Sequence, residues 1–339
     1  MELANKKLLV IGGAGLIGSH TVDQLLQEDV KEIVIFDNFT RGRQENIANA
    51  LKDDRVSLFP LGGELMHPEL VAEAVKDADG IFHFAALWLL HCWDYPRSAF
   101  DVNMGGVFNV LEAIVANTAQ KQRLVWSSSA SVYGDAVTEP MKEDHPHNNT
   151  NFYGATKVAG EQMCRSFYHR HKGSGAEFDY VGLRYMNVYG SRQDYHGAYI
   201  AVIMKMLDNL DKGVAPTVYG DGSQAYDFVN VVDCARANVC AMKADATDEF
   251  YNVGTGIRTS IKKLAELILE ITGSSLKIQY EPAGQTFVKN RIGCPEKARD
   301  EIGFDAKTPL RQGLEELIEW RASHKVEVEA RRQSAGITG

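Results

Sequence analysis

The stretch LLVIGGAGLIGS, residues 8–19, decides the fold of this 339-residue chain. Its first four residues are apolar, and a short apolar run of this kind is typical of a buried parallel strand. Three glycines follow at Gly12, Gly15 and Gly18. This spacing permits a tight turn off the strand, lets backbone N–H groups approach a pyrophosphate, and lets the next helix pack closely on the sheet. We therefore predict a phosphate-binding loop between a strand and a helix, whose positive dipole end faces the phosphates.

A second apolar run, Glu32–Phe36, ends at Asp37. This acid follows the last glycine by about 20 residues, where dinucleotide-binding folds place a carboxylate that holds the adenosine ribose. The strand, the glycines and the acid together favour a dinucleotide site over a glycine-rich turn that binds no ligand.

Further apolar runs alternate with helical stretches along the first half of the chain. Strands are predicted at residues 56–61, 81–84, 124–126 and 180–183, and helices at 46–52, 68–76, 100–116 and 152–171. This alternation predicts an α/β fold, with a doubly wound parallel sheet covered by helices on both faces. We assign residues 1–186 to this dinucleotide-binding Rossmann domain.

The pattern changes in the second half of the chain. Strand-like pieces become brief there and alternate with predicted helices at 199–211, 232–243, 260–272 and 310–323. This pattern predicts a smaller α/β lobe, residues 187–323, that binds substrate in a cleft against the first domain. Residues 324–339 are charged and lack an apolar stripe, so we predict a frayed tail.

Composition excludes several classes of function. The formal net charge is −9 with no basic tract, which argues against a nucleic-acid partner. No apolar run approaches the ~20 residues of a membrane span. The five cysteines are odd in number and scattered, as expected for reduced thiols of a cytoplasmic protein, mostly as small core residues. The ten histidines form no metal-binding motif, so we expect no metal.

Two short patterns carry the chemistry. Tyr153 and Lys157 are four residues apart on a predicted helix and project from one face. A phenol with a pKa near ~10 is a poor base, but a neighbouring ammonium and a cationic nicotinamide would lower that pKa. Ser129 follows the fifth predicted strand at its carboxyl end, where its hydroxyl could contact both Tyr153 and a substrate oxygen. Taken alone, a tyrosine and a lysine at this spacing are common on helix surfaces.

Together these motifs resemble the extended short-chain dehydrogenase/reductase family, and within it the nucleotide-sugar epimerases of UDP-galactose 4-epimerase type. The resemblance runs from about residue 8 to residue 320. It rests on GxxGxxG from Gly12, DN at Asp37, SSSASVYG around Ser129, YxxxK from Tyr153, and further matching segments at residues 84–86, 183–190, 218–222 and 251–256.

The resemblance implies a role for each matching residue. Ser129, Tyr153 and Lys157 would be catalytic. The cofactor NAD would be bound by Gly12, Gly15, Leu16, Ile17, Gly18, Asp37, Asn38, Glu64, Leu65, Phe84, Ala85, Ala86, Asn103 and Tyr185, with Tyr153 and Lys157. The nucleotide sugar would be bound by Ser129, Asn187, Thr217, Tyr219, Tyr226 and Arg291. Arg41 and Arg43 leave NADP open as the cofactor, since an arginine can accept a 2′-phosphate.

Two segments depart from the family pattern. Tyr226 stands where the family usually has an arginine that contacts the diphosphate, and a tyrosine brings no charge. Residues 87–93, LWLLHCW, are unusually apolar where family members often carry polar sugar contacts. They are either a buried helix start or an apolar sugar pocket.

The activity that the resemblance implies is NAD-dependent epimerisation of a nucleotide sugar, most simply a UDP-sugar at C4, through a transient 4-keto sugar. Related dehydratases resemble a TDEVYG pattern and decarboxylases a TSEVYG pattern, whereas this chain has Ala130 and Ser131 at those positions. A dehydratase, decarboxylase or 4-keto reductase is the alternative within the family. A non-catalytic NAD-binding sensor or scaffold is the alternative of another class. Helices 100–116 and 152–171 are where this family commonly pairs, so we expect a homodimer.

Overall fold

The first strand, its glycine turn and the first helix form as the sequence predicts, and a seven-stranded parallel sheet extends from them. The structure is a computed structural model that describes residues 1–195, 200–283 and 288–336, without the side chains at 200 and 201. The predicted start of one helix, Tyr199, lies outside the described residues.

The described residues form fourteen strands. In chain order these are β1 (Lys7–Ile11), β2 (Glu32–Phe36), β3 (Val56–Leu58), β4 (Gly80–His83), β5 (Gln122–Ser129), β6 (Phe178–Tyr185), β7 (Asn187–Tyr189), β8 (Thr217–Tyr219), β9 (Ala225–Tyr226), β10 (Phe228–Asn230), β11 (Glu249–Val253), β12 (Thr259–Ser260), β13 (Gln279–Glu281) and β14 (Asn290–Arg291).

Helices alternate with these strands. They are α1 (Leu16–Leu25), α2 (Gln44–Ile47), α3 (Pro68–Val75), α4 (Leu89–Asp94), α5 (Pro96–Ala99), α6 (Gly106–Ala116), α7 (Phe152–His171), α8 (Ile200–Asp211), α9 (Val231–Lys243), α10 (Ile261–Ile271), α11 (Glu296–Ile302), α12 (Leu310–Ser323) and α13 (Lys325–Ser334). A π-helical turn at Phe100–Gly105 joins α5 to α6, and short 3-10 turns lie at Ala50–Lys52 and Ala130–Val132.

The main sheet has the order β11-β6-β5-β4-β1-β2-β3, and all of its pairs are parallel. Alternate residues of β1 face opposite sides, so Leu8 and Val10 join one apolar core while Leu9 and Ile11 join the other. Helices α1 and α9 contribute to the first core, and α3, α6 and α7 to the second. The chain reverses its winding between β1 and β4, and in such sheets ligands bind at the carboxyl end of this switch point.

The predicted division after residue 186 is wrong for three elements. β11 returns from the second half of the chain to pair with β6 at the edge of the main sheet, while α9 and α11 add side chains to the first core of that sheet. The other second-half strands form small sheets, in the orders β10-β7, β12-β9-β14 and β13-β8, and they contribute to a third apolar core. The substrate lobe is therefore interleaved with the first domain.

The predicted frayed tail is also wrong. Residues 325–334 form helix α13, in which Val328 and Arg331 are buried. The helix has few apolar residues, so the sequence pattern conceals it. It is held instead by polar contacts with distant parts of the chain.

One helical stretch, Pro96–Ala116, is long and apolar enough to cross a membrane by length and composition, contrary to our expectation. Val110, Leu111 and Ile114 of this stretch are buried in the second core. Its apolar composition therefore serves packing on the sheet, while Phe100 and Phe108 stay on its exposed side.

Candidate active site

A cleft of about 800 Å³ runs along the carboxyl ends of β1, β2, β4, β5 and β6. Most of the predicted site residues line its wall: Gly12, Gly15, Leu16, Ile17, Gly18, Asp37, Asn38, Glu64, Leu65, Phe84, Ala85, Ala86, Ser129, Tyr153, Lys157, Tyr185, Asn187 and Arg291. The topology thus brings together residues from nearly the whole length of the chain.

The glycine-rich loop has the close approaches that its spacing predicts. Gly12 has a φ of 80°, and a Cβ there would lie 2.7 Å from the backbone nitrogen of Ala85. A Cβ at Gly18 would collide with the carbonyl oxygen of Gly12. Only glycine therefore keeps the loop open and the helix close to it.

Asp37 holds this loop from the neighbouring strand. Its Oδ2 accepts a hydrogen bond from the Ala14 backbone N–H at 2.8 Å, and its Oδ1 accepts one from Phe39 at 2.8 Å. Burial raises the pKa of Asp37, while these two N–H donors lower it. The carboxylate oxygens retain further acceptor capacity for the hydroxyls of an adenosine ribose.

Next to Asp37, the cleft wall is built from short polar contacts. Asn38 Nδ2 donates to Glu64 Oε2 at 3.1 Å, and Glu64 Oε1 accepts from the backbone of Met66. These groups, with the loop N–H groups and the buried Lys157 ammonium, fit the adenosine, pyrophosphate and nicotinamide ribose of NAD.

The two arginines that left NADP open are engaged elsewhere. The Arg41 guanidinium makes two hydrogen bonds to Asp194, Nε to Oδ2 at 2.5 Å and Nη2 to Oδ1 at 3.0 Å. Arg43 donates to Ser334 Oγ at 2.7 Å. Asp194 neutralises the charge of Arg41, and the Arg43 side chain points toward α13. Since neither arginine is placed to accept a 2′-phosphate, the geometry favours NAD over NADP.

The three predicted catalytic residues meet at the carboxyl end of β5. The backbone N–H of Ser131 donates to Ser129 Oγ at 3.1 Å, so the hydroxyl proton of Ser129 is available for its hydrogen bond to Tyr153. The Lys157 ammonium lies 5.8 Å from the Tyr153 ring centroid and donates to the carbonyl of Ser127 at 2.7 Å. Asn151 caps α7 by accepting from the Gly154 backbone, which fixes the start of the helix that carries the tyrosine and the lysine.

The electrostatics of this group differ from our expectation. Burial raises the pKa of Tyr153, against the hydrogen bond from Ser129 and the charges of Arg41 and Arg291, which lower it. Burial also lowers the pKa of Lys157 to about 8. The expected lowering of the phenol pKa is therefore not achieved by the protein chain alone, and the positive nicotinamide is the remaining charge that can supply it.

Asn103 serves the cleft indirectly. Its Oδ1 accepts from the Leu87 backbone N–H at 2.7 Å, and its Nδ2 donates to the Leu87 carbonyl at 3.1 Å. The side chain is buried and lies outside the cleft wall. Asn103 therefore holds a lining segment, where we expected it to line the cofactor channel itself.

Three of the predicted substrate residues lie away from the cleft. Thr217 and Tyr219 are on β8, whose partner is β13, and the side chain of Tyr219 is exposed. Tyr226 is buried in the third core, and its hydroxyl donates to the Val288 carbonyl at 2.8 Å. Its register partner on the adjacent strand, Arg291, is the residue of this pair that lines the cleft.

The apolar segment 87–93 forms a buried helix start and part of the cleft wall, while its role as a sugar pocket stays a prediction. Leu89 and Cys92 are buried as the inner face of α4. Trp88 and His91 line the cleft, with their ring centroids 5.0 Å apart. The Arg41 guanidinium lies 5.1 Å from the Trp88 ring centroid, within cation–π range.

The sequence analysis left two roles open for this segment and did not pair Trp88 with His91. Trp88 is the N-cap residue of α4 and His91 lies three residues later in its first turn, and that spacing was the available signal. Asp194 carried no local signal, because its partner Arg41 lies 153 residues earlier in the chain.

Comparisons with known proteins identify the family that the sequence motifs resemble. A model of the NAD dependent epimerase/dehydratase family matches residues 8–254. A UDP-glucose 4-epimerase from Mycolicibacterium smegmatis is 31% identical over 320 residues, which cover 93% of this chain and 98% of that protein.

Two solved structures share the fold over most of their length. A UDP-N-acetylglucosamine 4-epimerase from Methanobrevibacter ruminantium, in complex with UDP-N-acetylmuramic acid, is 31% identical with a TM-score of 0.85, covering 94% of this chain and 99% of that one. A dTDP-glucose 4,6-dehydratase from Streptomyces venezuelae with NAD bound is 25% identical, also with a TM-score of 0.85, covering 96% and 99%.

Proposed function

Because the chain belongs to the NAD-dependent epimerase/dehydratase family, we propose that it inverts C4 of a UDP-linked sugar through a 4-keto intermediate. The observation that carries this proposal is the placement of acids in the cleft. Among the described lining residues, the carboxylates are Asp37 and Glu64, both at the adenosine end. Beside the catalytic serine stand Ala130 and Ser131.

Elimination of water from C5 and C6 requires a base for the C5 proton and an acid for the leaving hydroxyl. General acid–base catalysis of this kind supplies about 10²–10⁴ in rate. Alanine and an unactivated serine cannot supply it. Epimerisation at C4 needs proton transfer at one oxygen only, and Ser129, Tyr153 and Lys157 are placed for that transfer.

Each of the three residues has a defined task in this reaction. Tyr153 takes the proton from the 4-hydroxyl and returns it in the second half of the cycle. Ser129 donates its one hydroxyl proton to the Tyr153 oxygen or to the sugar oxygen, whichever carries the negative charge, and Lys157 holds the nicotinamide ribose and stabilises the phenolate. NAD held by these residues would supply a hydride acceptor and donor for C4, so the hydride could return to the opposite face of the keto sugar. The cofactor ends each cycle unchanged, so the purified protein should retain it.

The test is a proton NMR time course with a panel of UDP-sugars and dTDP-glucose. The proposal expects a mixture of two C4 epimers from at least one UDP-sugar, and no conversion by Tyr153→Phe. A methyl doublet from a 6-deoxy-4-keto sugar, or accumulation of a pentose nucleotide, would instead identify a dehydratase or a decarboxylase. NAD binding without turnover of any sugar would support the sensor.

We also propose that two copies pair through α6 and α7, in the cytoplasm where nucleotide sugars are made. Phe100, Phe108 and Phe152 are each more than a third exposed on these adjacent elements. Exposed aromatic residues on adjoining helices favour a protein interface. Light scattering should give twice the mass of one chain, and Phe108→Glu should give the monomer; a monomeric native protein would exclude this pairing.

A further inference from the structure

Arg331, on the last helix, is almost fully buried, with 2% of its surface exposed. The two terminal nitrogens of its guanidinium donate to different partners. Nη1 donates to the backbone carbonyl of Arg192 at 2.8 Å, and Nη2 donates to Asn46 Oδ1 at 2.7 Å. The Trp320 ring lies 5.4 Å from the guanidinium carbon. A side chain from residue 331 therefore joins two loops that are far apart in sequence.

Asn46 connects Arg331 to the phosphate-binding loop. It is 5% exposed, and its Nδ2 donates to the Ala14 carbonyl at 2.7 Å. On the other side of the same peptide segment, the Ala14 N–H donates to Asp37. The central residue of the glycine-rich loop is thus held at both its N–H and its carbonyl.

The contact with the Arg192 carbonyl connects Arg331 to the other wall of the cleft. Arg192 precedes Asp194 by two residues, and Asp194 holds Arg41 beside Trp88. A further contact joins α13 to the segment after Asp37, because Arg43 donates to Ser334 Oγ and to the Ala330 carbonyl. Helix α13 therefore contacts both the segment after Asp37 and the loop that carries Arg192 and Asp194.

Burying a guanidinium here is costly. Burial lowers the pKa of Arg331, and the charge of Arg43 lowers it further, while Glu327 at 3.7 Å compensates in part. A buried ion in such surroundings is weak evidence for stability, because an apolar side chain of similar volume often packs as well. Its hydrogen bonds to two loops provide what an apolar side chain could not, which is a fixed position for each loop.

Arg332, the next residue along α13, points away from the phosphate-binding loop. Arg332 donates to Asp208 on α8 at 2.8 Å and to Glu329 on its own helix at 2.6 Å. Its contacts attach α13 to the second lobe and do not reach the phosphate-binding loop. The chain thus offers a matched pair of arginines, one directed toward the cofactor loop and one directed away from it.

We propose that α13 is a positioning element for the cofactor, in which Arg331 acts through Asn46 to set the carbonyl of Ala14 and with it the loop N–H groups that meet the pyrophosphate. Preorganised groups bind more tightly because their ordering is completed before the ligand arrives. Arg331 and Asn46 are therefore positioning residues that never touch NAD.

The test measures NAD affinity of the full-length protein, stripped of cofactor, by titration calorimetry. Arg331→Ala removes the charged hydrogen bonds that lead through Asn46 to the loop, so NAD binding should weaken about tenfold. Arg332→Ala, the matched control, should bind NAD within about twofold of the native protein, even though both variants lose melting temperature. Arg331→Lys keeps the charge and one donor, and should recover part of the affinity.

Asn46→Asp separates positioning from general stability. An aspartate still accepts from Arg331 and pairs with its charge, but it cannot donate to the Ala14 carbonyl. We expect the melting temperature to be kept and the NAD affinity to fall about tenfold. Native affinity in Arg331→Ala or Asn46→Asp, or an equal loss in Arg332→Ala, would overturn the proposal. None of these measurements depends on which sugar the protein converts.

Discussion

The two ends of the cleft are built by different means. At the adenosine end, the wall consists of glycines, backbone N–H groups and the short polar side chains of Asp37, Asn38 and Glu64. At the sugar end, it consists of large side chains from separate elements, among them Trp88, Tyr185 and Arg291. We expect the first end to hold the cofactor by backbone geometry and the second to select the sugar by side-chain shape and charge.

This difference determines how each end responds to mutation. Changes at the adenosine end should act on cofactor affinity, because they alter a rigid turn and its hydrogen bonds. Changes at the sugar end should act on turnover or substrate affinity and leave the cofactor in place. Single substitutions can therefore test whether the two ends are as independent as the geometry indicates.

The largest effect should follow Tyr153→Phe. Removal of the phenol oxygen leaves the 4-hydroxyl without a proton acceptor, so kcat should fall about 10²–10⁴-fold. Bound NAD, measured by absorbance after denaturation, should stay near the native level, since the glycine loop, Asp37 and Lys157 remain in place. A variant that loses NAD along with activity would show that the catalytic end also holds the cofactor.

Gly18→Ala tests the adenosine end. The added Cβ would collide with the Gly12 carbonyl, so helix α1 must move away from the loop. Overpacking of this kind costs ~1–3 kcal/mol, which corresponds to about 5–150-fold weaker NAD binding if the loop bears the whole cost. Gly105→Ala is the control, because its Cβ would meet only Met66 Cε at 3.6 Å. Equal loss of NAD in both variants would contradict the special role of the glycine loop.

The sequence predicted the adenosine end well, because its signals are local. The strand, the three glycines and Asp37 span 30 residues, from Leu8 to Asp37, and each has a fixed place in a turn. Tyr153 and Lys157 were equally accessible, since one turn of a helix determines their relation. Propensity and spacing suffice wherever the partners of a residue are its neighbours in sequence.

The sugar end depends on contacts that local patterns do not encode. No local pattern indicates that Arg41 pairs with Asp194, or that the Tyr226 hydroxyl donates to the Val288 carbonyl. Helix α13 was missed for the same reason, since polar contacts with Asn46 and Asp208 hold it in place of an apolar stripe. These arrangements follow from tertiary packing, which overrides propensity.

Arg291→Ala should have an intermediate effect on the sugar end. Arg291 is buried on β14, lines the cleft and exerts its charge on Tyr153. Its neighbour Tyr226 brings no charge where the family resemblance implies an arginine, so Arg291 should carry more of the binding of an anionic diphosphate. A charged hydrogen bond contributes about 1.5–3 kcal/mol, which predicts at least tenfold weaker UDP-sugar binding.

NAD retention should be unchanged in this variant, and calorimetry with UDP alone should show whether the lost affinity concerns the nucleotide or the sugar. Arg258→Ala, which removes an exposed arginine paired with Glu139 at 3.5 Å, is the matched control. If Arg291→Ala keeps the native affinity for UDP-sugars, another cation must bind the diphosphate, and Arg192 and Lys205 are the next candidates.

The smallest effect should follow Tyr226→Phe, and it tests whether this tyrosine belongs to the site at all. The substitution removes the hydroxyl that donates to the Val288 carbonyl and keeps the ring in the third core. Loss of one buried hydrogen bond costs ~0.5–1.5 kcal/mol, so the melting temperature should fall by about 1–2 °C. UDP-sugar affinity should change by less than about twofold, because Tyr226 lies outside the cleft wall and Arg291 remains in place. If affinity falls tenfold while stability is kept, the hydroxyl contacts the substrate as the sequence resemblance implied, and the diphosphate end of the cleft must extend beyond Arg291 toward β9.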